Sequence, residues 1–263
     1  MFKPTTFKCG AIGLGLCLGL CLSHKIADAA TLSTFIRSWA NNASGIGQKV
    51  DPIFNAMLIT PPRDISMTPS DLENLKIREH KSATKRFVFN GSKIVVLRAK
   101  APSVSVKQPT KMERVAALIW KCAMKASRTN FGSSSRLSSL YQNVNIQNRI
   151  VPPLPNNSVG KFVGSLLRGQ KTHRQSSEEF CKKAKRLPLS EDISVISEPQ
   201  NEAIRMLTSD GMDFYVCTSW FRFPLYEGAD FGCGKPIWVS SAIPTAKNMV
   251  YLMDIKGRDG MES

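Results

Sequence analysis

His24 is the first side chain in this sequence equipped to move a proton by itself. It lies in Ser23-His24-Lys25-Ile26-Ala27-Asp28, with a carboxylate four residues on. An imidazole with an ordinary pKa of about 6.5 gains and loses a proton near neutrality, which suits a general base. The aspartate is a tempting partner for it, by the logic that sets Asp behind His in serine hydrolases. The competing explanation is coincidence, because so short a pattern recurs by chance. His80, set among charges, reads as exposed, and His173 has no partner nearby in the sequence. No Gly-x-Ser-x-Gly elbow supplies a serine nucleophile. The seven cysteines, at positions 9, 17, 21, 122, 181, 217 and 233, are odd in number and have no paired spacing. That pattern fits neither a disulfide framework nor a structural zinc site, so they are expected to be reduced, buried small hydrophobes, and no metal is expected.

The elements that must position His24 come next. The apolar run from Cys9 to Leu22 reads as one strand covered on both faces. Leu32, Phe35, Ile36 and Trp39 recur at i, i+3, i+4 and i+7, the stripe of a helix over 29–40 facing a core. His24 then stands at a strand-to-helix junction. Prolines 52, 61, 62 and 69 make the following stretch a connector, and residues 71–86 read as a solvated charged segment. Asn90-Gly91 between Phe89 and Ile94 is a hairpin signal. Pro109-Thr110-Lys111-Met112-Glu113 opens the clearest helix, with Thr110 and Glu113 as a capping box and Val115, Ala116, Ile119, Trp120 and Ala123 as its apolar face. Residues 137–150 read as a strand stopped by Pro152, 168–186 as a basic surface helix or loop, and 214–219, 237–242 and 249–253 as further strands.

A net charge of +16 favours anionic partners without specifying a fold. No zinc-finger spacing or aromatic-basic recognition motif supports nucleic acid. The N-terminus has a second reading. Lys3 and Lys8 precede an apolar run that ends at Ala27-Asp28-Ala29, which imitates a signal-peptide cleavage site. Four glycines in the run disfavour the helix such a signal needs, and the run is short for a membrane span of about 20 residues.

Thr218-Ser219-Trp220-Phe221-Arg222-Phe223-Pro224 followed by Asp230-Phe231-Gly232-Cys233-Gly234-Lys235-Pro236 adds a second motif. Val144-Asn145-Ile146-Gln147-Asn148-Arg149, with Pro152 to Pro155 and Gly160, adds a third. With His24 and Asp28 these segments resemble the BAHD family of plant acyl-CoA-dependent acyltransferases, in its vinorine synthase-like branch. The family signatures are H-x-x-x-D and D-F-G-W-G-K-P, in this order. The resemblance runs over nearly the whole chain.

It implies an α/β fold of two chloramphenicol-acetyltransferase-like lobes, the first incomplete here. Residues 1–50 would be a remnant of the N-terminal lobe, 51–86 a crossover linker, and 87–263 the C-terminal lobe, with part of 237–253 packing back on the first. It also implies a helix from about Ser92 in place of the hairpin. The implied chemistry is transfer of an acyl group, acetyl above all, from acyl-CoA to the hydroxyl of a plant specialised metabolite. His24 would be the base, with no covalent intermediate, and Trp220 with Thr218 would face the developing oxyanion. The family's aspartate turns from the site to pair with an arginine of the third motif. Gln147 occupies that place here, which leaves Arg149 as the substitute partner for Asp28 and Asp230. Gly232 and Gly234 would shape a tight turn, and Cys233 in the tryptophan position would loosen the loop. Acyl-CoA is a co-substrate rather than a tightly bound cofactor. The expected partners are acyl-CoA and a small alcohol, with no nucleic acid or membrane, in a cytoplasmic monomer if the protein is complete. Two rival expectations stand beside this one: an inactive truncated relative, and a secreted or membrane-anchored basic protein using residues 1–29 as a signal.

Overall fold

The computed structural model describes residues 2–6, 12–56, 83–100, 109–131, 136–169, 203, 206, 211–241, 247–257 and 261–262. His80, His173, Cys9, Cys181 and most of the 51–86 and 168–186 segments lie outside them. Strands β1 (Phe2–Thr6) and β2 (Ile12–Leu16) pair antiparallel, with Phe2 opposite Leu16 and Thr6 opposite Ile12. The single strand expected over Cys9 to Leu22 is therefore corrected. Only Ile12–Leu16 of that run is a described strand, and beyond Leu16 the chain is irregular, with Cys17, Leu18 and Cys21 exposed.

Helix α1 (Ala29–Ser44) follows. Asp28 caps it by accepting the Thr31 amide at 2.8 Å, and Gly45 closes it in the left-handed conformation at φ 67°. It passes the expected stop at Asn41-Asn42. Its buried face is also not the expected one. Thr31, Ser33, Thr34 and Ala40 are buried, whereas Phe35 and Trp39 are 43% and 40% exposed. Hydroxyls reaching neighbouring backbone, rather than an apolar stripe, set the orientation of this helix: Thr31 bonds Gly160, and Thr34 Oγ1 donates to the Asn156 carbonyl at 3.3 Å.

The rest is a six-stranded mixed sheet with helices packed against it. In chain order come β3 (Val88–Phe89), α2 (Gly91–Lys100), α3 (Lys111–Phe131), β4 (Leu137–Asn145), β5 (Val163–Gly169), β6 (Met212–Ser219), the one-turn α4 (Leu225–Gly228), β7 (Met249–Asp254) and β8 (Met261–Glu262). The spatial order is β3-β8-β7-β6-β4-β5, with β4–β6 and β6–β7 parallel and the other pairs antiparallel. Asn90 starts α2 by accepting the Lys93 amide at 3.1 Å, so the helix forms where turn chemistry had suggested a hairpin. In α3 the capping box is complete: Glu113 Oε2 accepts the Thr110 amide at 2.9 Å, and Thr110 Oγ1 accepts the Glu113 amide at 3.3 Å.

Strand alternation sorts the core onto two faces. Leu140, Tyr215, Cys217 and Leu252 meet Val115 and Ala116 of α3, with Ile94 and Leu97 of α2 beside them. Phe214 and Leu167 form the opposite cluster with Ala203. Trp120 locks α3 to β4 through an indole N–H donated to Ser138 Oγ at 2.7 Å. Arg168 of β5 reaches Glu113 at 3.2 Å. A third cluster, Ile146, Ile150, Leu154, Phe162 and Leu166, knits the loop after β4 to the entry of β5. The 237–241 run is an irregular loop with Ile237 84% exposed, not a strand. Cys217 is buried, but Cys17, Cys21, Cys122 and Cys233 are exposed free thiols, against the expectation for the cysteines.

Candidate active site

His24 sits on an exposed turn in which the Ile26 and Ala27 amides both donate to the Ser23 carbonyl, at 3.1 and 3.2 Å. The turn ends at Ala27 and Asp28, which are 7% and 4% exposed. Asp28 does not orient the imidazole through its bonded oxygens. Oδ1 accepts the Thr31 amide and Oδ2 accepts the Phe162 amide, each at 2.8 Å. Its own amide donates to the Gly160 carbonyl at 3.2 Å. The aspartate thus joins the start of α1 to the entry of β5.

The arginine expected to serve Asp28 and Asp230 serves neither among the described contacts. Arg149 Nη1 donates to the Asn145 carbonyl, which ties the guanidinium to the turn just before it. Gln147, 4% exposed, donates its Nε2 to the Pro155 carbonyl at 2.6 Å. Two backbone amides therefore replace an ion partner at Asp28, and a buried carboxylate with charge-assisted bonds to backbone N–H groups is not uncompensated. Thr31 and Phe162, which join Gly160 of the third motif in holding Asp28, are the residues that motif reading missed. The signal present in the sequence was Thr31 in the first turn after a capping aspartate. Its partner is 129 residues away.

Asp230 is served locally. Its Oδ1 accepts the amides of Gly232 and Gly234, both at 3.0 Å, and both glycines have positive φ, 91° and 99°. The turn needs residues without a Cβ there. Lys235 pairs with Glu227 on the surface. Cys233 is exposed, so the smaller side chain in the tryptophan position leaves no buried cavity there. Phe231 packs edge-on against Trp39 of α1 at 5.1 Å, and Gly232 faces Ser44 at the end of that helix. With a rise of about 1.5 Å per residue, the loop's contacts at Trp39 and Ser44 lie roughly 16 to 24 Å along α1 from Asp28. Helix α1 is thus a strut with one motif at each end.

Thr218 lies near the end of β6, opposite Tyr251 of β7, and Trp220 follows the strand. The Trp220 amide donates to the Leu252 carbonyl at 2.8 Å, and its ring meets Tyr251 edge-on at 6.2 Å. Both side chains are half-buried. Beside them, at the carboxyl ends of these parallel strands, is a cavity of about 360 Å³ lined by Phe221, Phe223, Tyr226, Glu227, Asp254 and Ile255, among others. Arg222 borders it with φ 69°, held by its amide donating to Asp254 Oδ2 at 2.6 Å. No described hydrogen bond or ring contact joins His24 to Thr218 or Trp220. Burial pushes the Cys217 thiol up to about 12, opposed in part by the Arg168 charge, and a thiol so raised is no nucleophile near neutrality. Among the described residues no group of three or more His, Cys, Asp or Glu gathers for a metal, and no helix is long and apolar enough to cross a membrane.

Residues 1–262 match the Transferase family. Akuammiline synthase 1 of Alstonia scholaris is 35% identical over 95% of this chain and 59% of its own length. Stemmadenine O-acetyltransferase of Catharanthus roseus is 30% identical over 99% of this chain and 60% of its own. The crystal structure of vinorine synthase superposes with a TM-score of 0.69 at 28% identity, covering 99% of this chain and 60% of that one. F. graminearum TRI101, in a complex with coenzyme A and T-2 mycotoxin, shares the fold with a TM-score of 0.58 at 13% identity, covering 91% and 59%. The chain thus spans about three-fifths of the relatives it matches. Family match and shared fold agree with both motifs, and the chain belongs to the Transferase family, the BAHD acyltransferases.

Proposed function

We propose that the protein transfers an acyl group, acetyl in the first instance, from acyl-CoA to a hydroxyl of a plant specialised metabolite, with His24 as general base. The observation that carries this reading is the division of labour at the first motif. Both oxygens of Asp28 are bonded to backbone amides, and the turn it anchors leaves His24 exposed to meet a substrate. His24 takes the alcohol proton as the oxygen attacks the thioester carbonyl directly, and the coenzyme thiolate leaves with that proton. Trp220, whose indole is a donor only, and Thr218 stabilise the oxyanion. Acyl-CoA is a co-substrate, no tightly bound cofactor or metal is used, and the site of action is cytoplasmic. The acetyltransferase among the relatives and the coenzyme A complex of a protein sharing the fold support the donor class.

The test is His24→Ala, assayed by release of free thiol from acetyl-CoA with a panel of alcohol acceptors. Turnover should fall by at least about 10²-fold, the low end for general-base help, with the melting temperature little changed because the side chain is exposed. Equal turnover in variant and parent would remove His24 from the mechanism.

A further inference from the structure

The bonds that hold the His24 turn include one that neither family motif contains. Thr31 Oγ1 donates to the Gly160 carbonyl at 2.7 Å and accepts the Gly160 amide at 3.0 Å. One hydroxyl thus satisfies both backbone groups of a single residue. We propose that Thr31 is a positioning residue for the candidate base: its hydroxyl, closed on Gly160, fixes the His24 turn against the 146–162 segment, the task that the resemblance gives to an ion pair. The proposal rests on the reading of His24 as the base.

Four observations carry it. First, the clasp is dry: Thr31 and Asp28 are each 4% exposed and Phe162 is fully buried, so water does not substitute for a lost partner. Second, its receiving side is rigid. Phe162 and Leu166 pack with Ile146 and Ile150, the Val159 amide donates to the Ile53 carbonyl at 2.8 Å, and a Cβ on Gly160 would lie 2.3 Å from the Ala56 Cβ. Third, the turn is anchored on one side. Its downstream end runs into Asp28, whose amide shares the Gly160 carbonyl with Thr31, while Cys17 to Gly19 upstream are exposed. Fourth, the arginine position of the third motif is Gln147, whose Nε2 is committed to Pro155. A β-branched residue suits the role, because its stiff χ1 holds the hydroxyl toward one partner.

The experiment compares the full chain with Thr31→Val, which keeps shape and removes both bonds, and Thr31→Ser, which restores them. In Thr31→Val, kcat for acetyl-CoA turnover should fall by about 10- to 10²-fold, the effect of moving a catalytic group by a fraction of an ångström to 1 Å. KM for acetyl-CoA should stay within about twofold, since the change is one of placement and not of coenzyme contact. The His24 imidazole resonance of ¹³C-histidine-labelled protein should move. Thr31→Ser should return both the rate and the resonance to the parent. A lower melting temperature with kcat and the His24 resonance unmoved would make the hydroxyl merely structural and overturn the proposal. Should Thr31→Val not fold, amide exchange in the unaltered chain decides. Gly160 and Phe162 should exchange as slowly as β4, and rapid exchange at Gly160 overturns the clasp. The two readings fail separately. Full turnover in His24→Ala removes the base, whereas a full-rate Thr31→Val beside an inactive His24→Ala overturns the clasp alone.

Discussion

The two family motifs are held by opposite means. At Asp28 both side-chain bonds are buried, and the two segments they join are far apart in sequence: Phe162 lies 134 residues from its acceptor. At Asp230 the carboxylate accepts amides two and four residues on, at the surface, and the loop makes its further contacts by resting Phe231 on Trp39. Both carboxylates bind two backbone N–H groups, so the chemistry is the same. The surroundings differ. A hydrogen bond in a dry interior carries the full desolvation cost of its partners when broken, whereas an exposed turn hands its amides to water. The first motif is a joint between distant segments, and the second is a self-contained turn.

The sharpest way to break that contrast is Asp28→Ala. It removes the cap of α1 and the charge-assisted bond to Phe162 together, and leaves the Phe162 amide buried without an acceptor. Loss of about 3 kcal/mol is expected, from roughly 1 for the cap and 1.5–3 for the second bond. The melting temperature should fall by roughly 6–12 °C, with activity lost alongside. His24→Ala should reduce activity without that fall. A cooperative melt unchanged in Asp28→Ala would mean that the joint does not hold the fold.

Asp230→Ala is the matched test at the other end of α1. Two exposed bonds disappear, but Gly232 and Gly234 keep their access to water and their tolerance of positive φ. The expected cost is about 1 kcal/mol or less, read as a shift in denaturant midpoint with an unchanged slope. A loss as large as that of Asp28→Ala would show that the loop is a second joint and not a local turn.

How far the sequence foretold this arrangement follows the same division. Local signals were legible. Thr110 and Glu113 lie three residues apart and cap α3 as their spacing predicts, and the apolar period of Val115, Ala116 and Ile119 does face the sheet. Residues 214–219 alternate as strands do and form the centre of the sheet. Helix α1 was misread for a physical reason. An apolar stripe is taken to face a core, yet here Asp28, Thr31 and Thr34 outcompete Leu32, Phe35, Ile36 and Trp39 by finding backbone partners at Asn156, Gly160 and Phe162. Such pairings lie more than a hundred residues apart and leave no periodic trace. The same holds for Asp28 itself: its role in the fold was legible from the motif, but the partner was sought in Arg149, and amides carry no signature in a sequence. Burial of the cysteines failed likewise, because the apolar run holding Cys17 and Cys21 leaves its strand at Leu16.

The smallest effect is expected from Gln147→Arg, which separates a joint made of amides from one that lacks a cation. If Asp28 were short of a partner, a guanidinium in the third motif would raise stability, as the sequence alone suggests. The structure argues otherwise. Both Asp28 oxygens already accept amides at 2.8 Å, and Gln147 is 4% exposed with its own bond to the Pro155 carbonyl. The substitution forfeits that bond and takes a charged group out of water. Attraction to the buried carboxylate offsets the desolvation without exceeding it, as exchanges of buried ion pairs for neutral packing commonly show. The net change should therefore stay within about 1 kcal/mol of the parent, a melting shift of roughly 4 °C or less. A rise of twice that size, with the Phe162 amide exchanging more slowly than in the parent, would show that the carboxylate is under-served and that the joint is an ion pair missing its arginine.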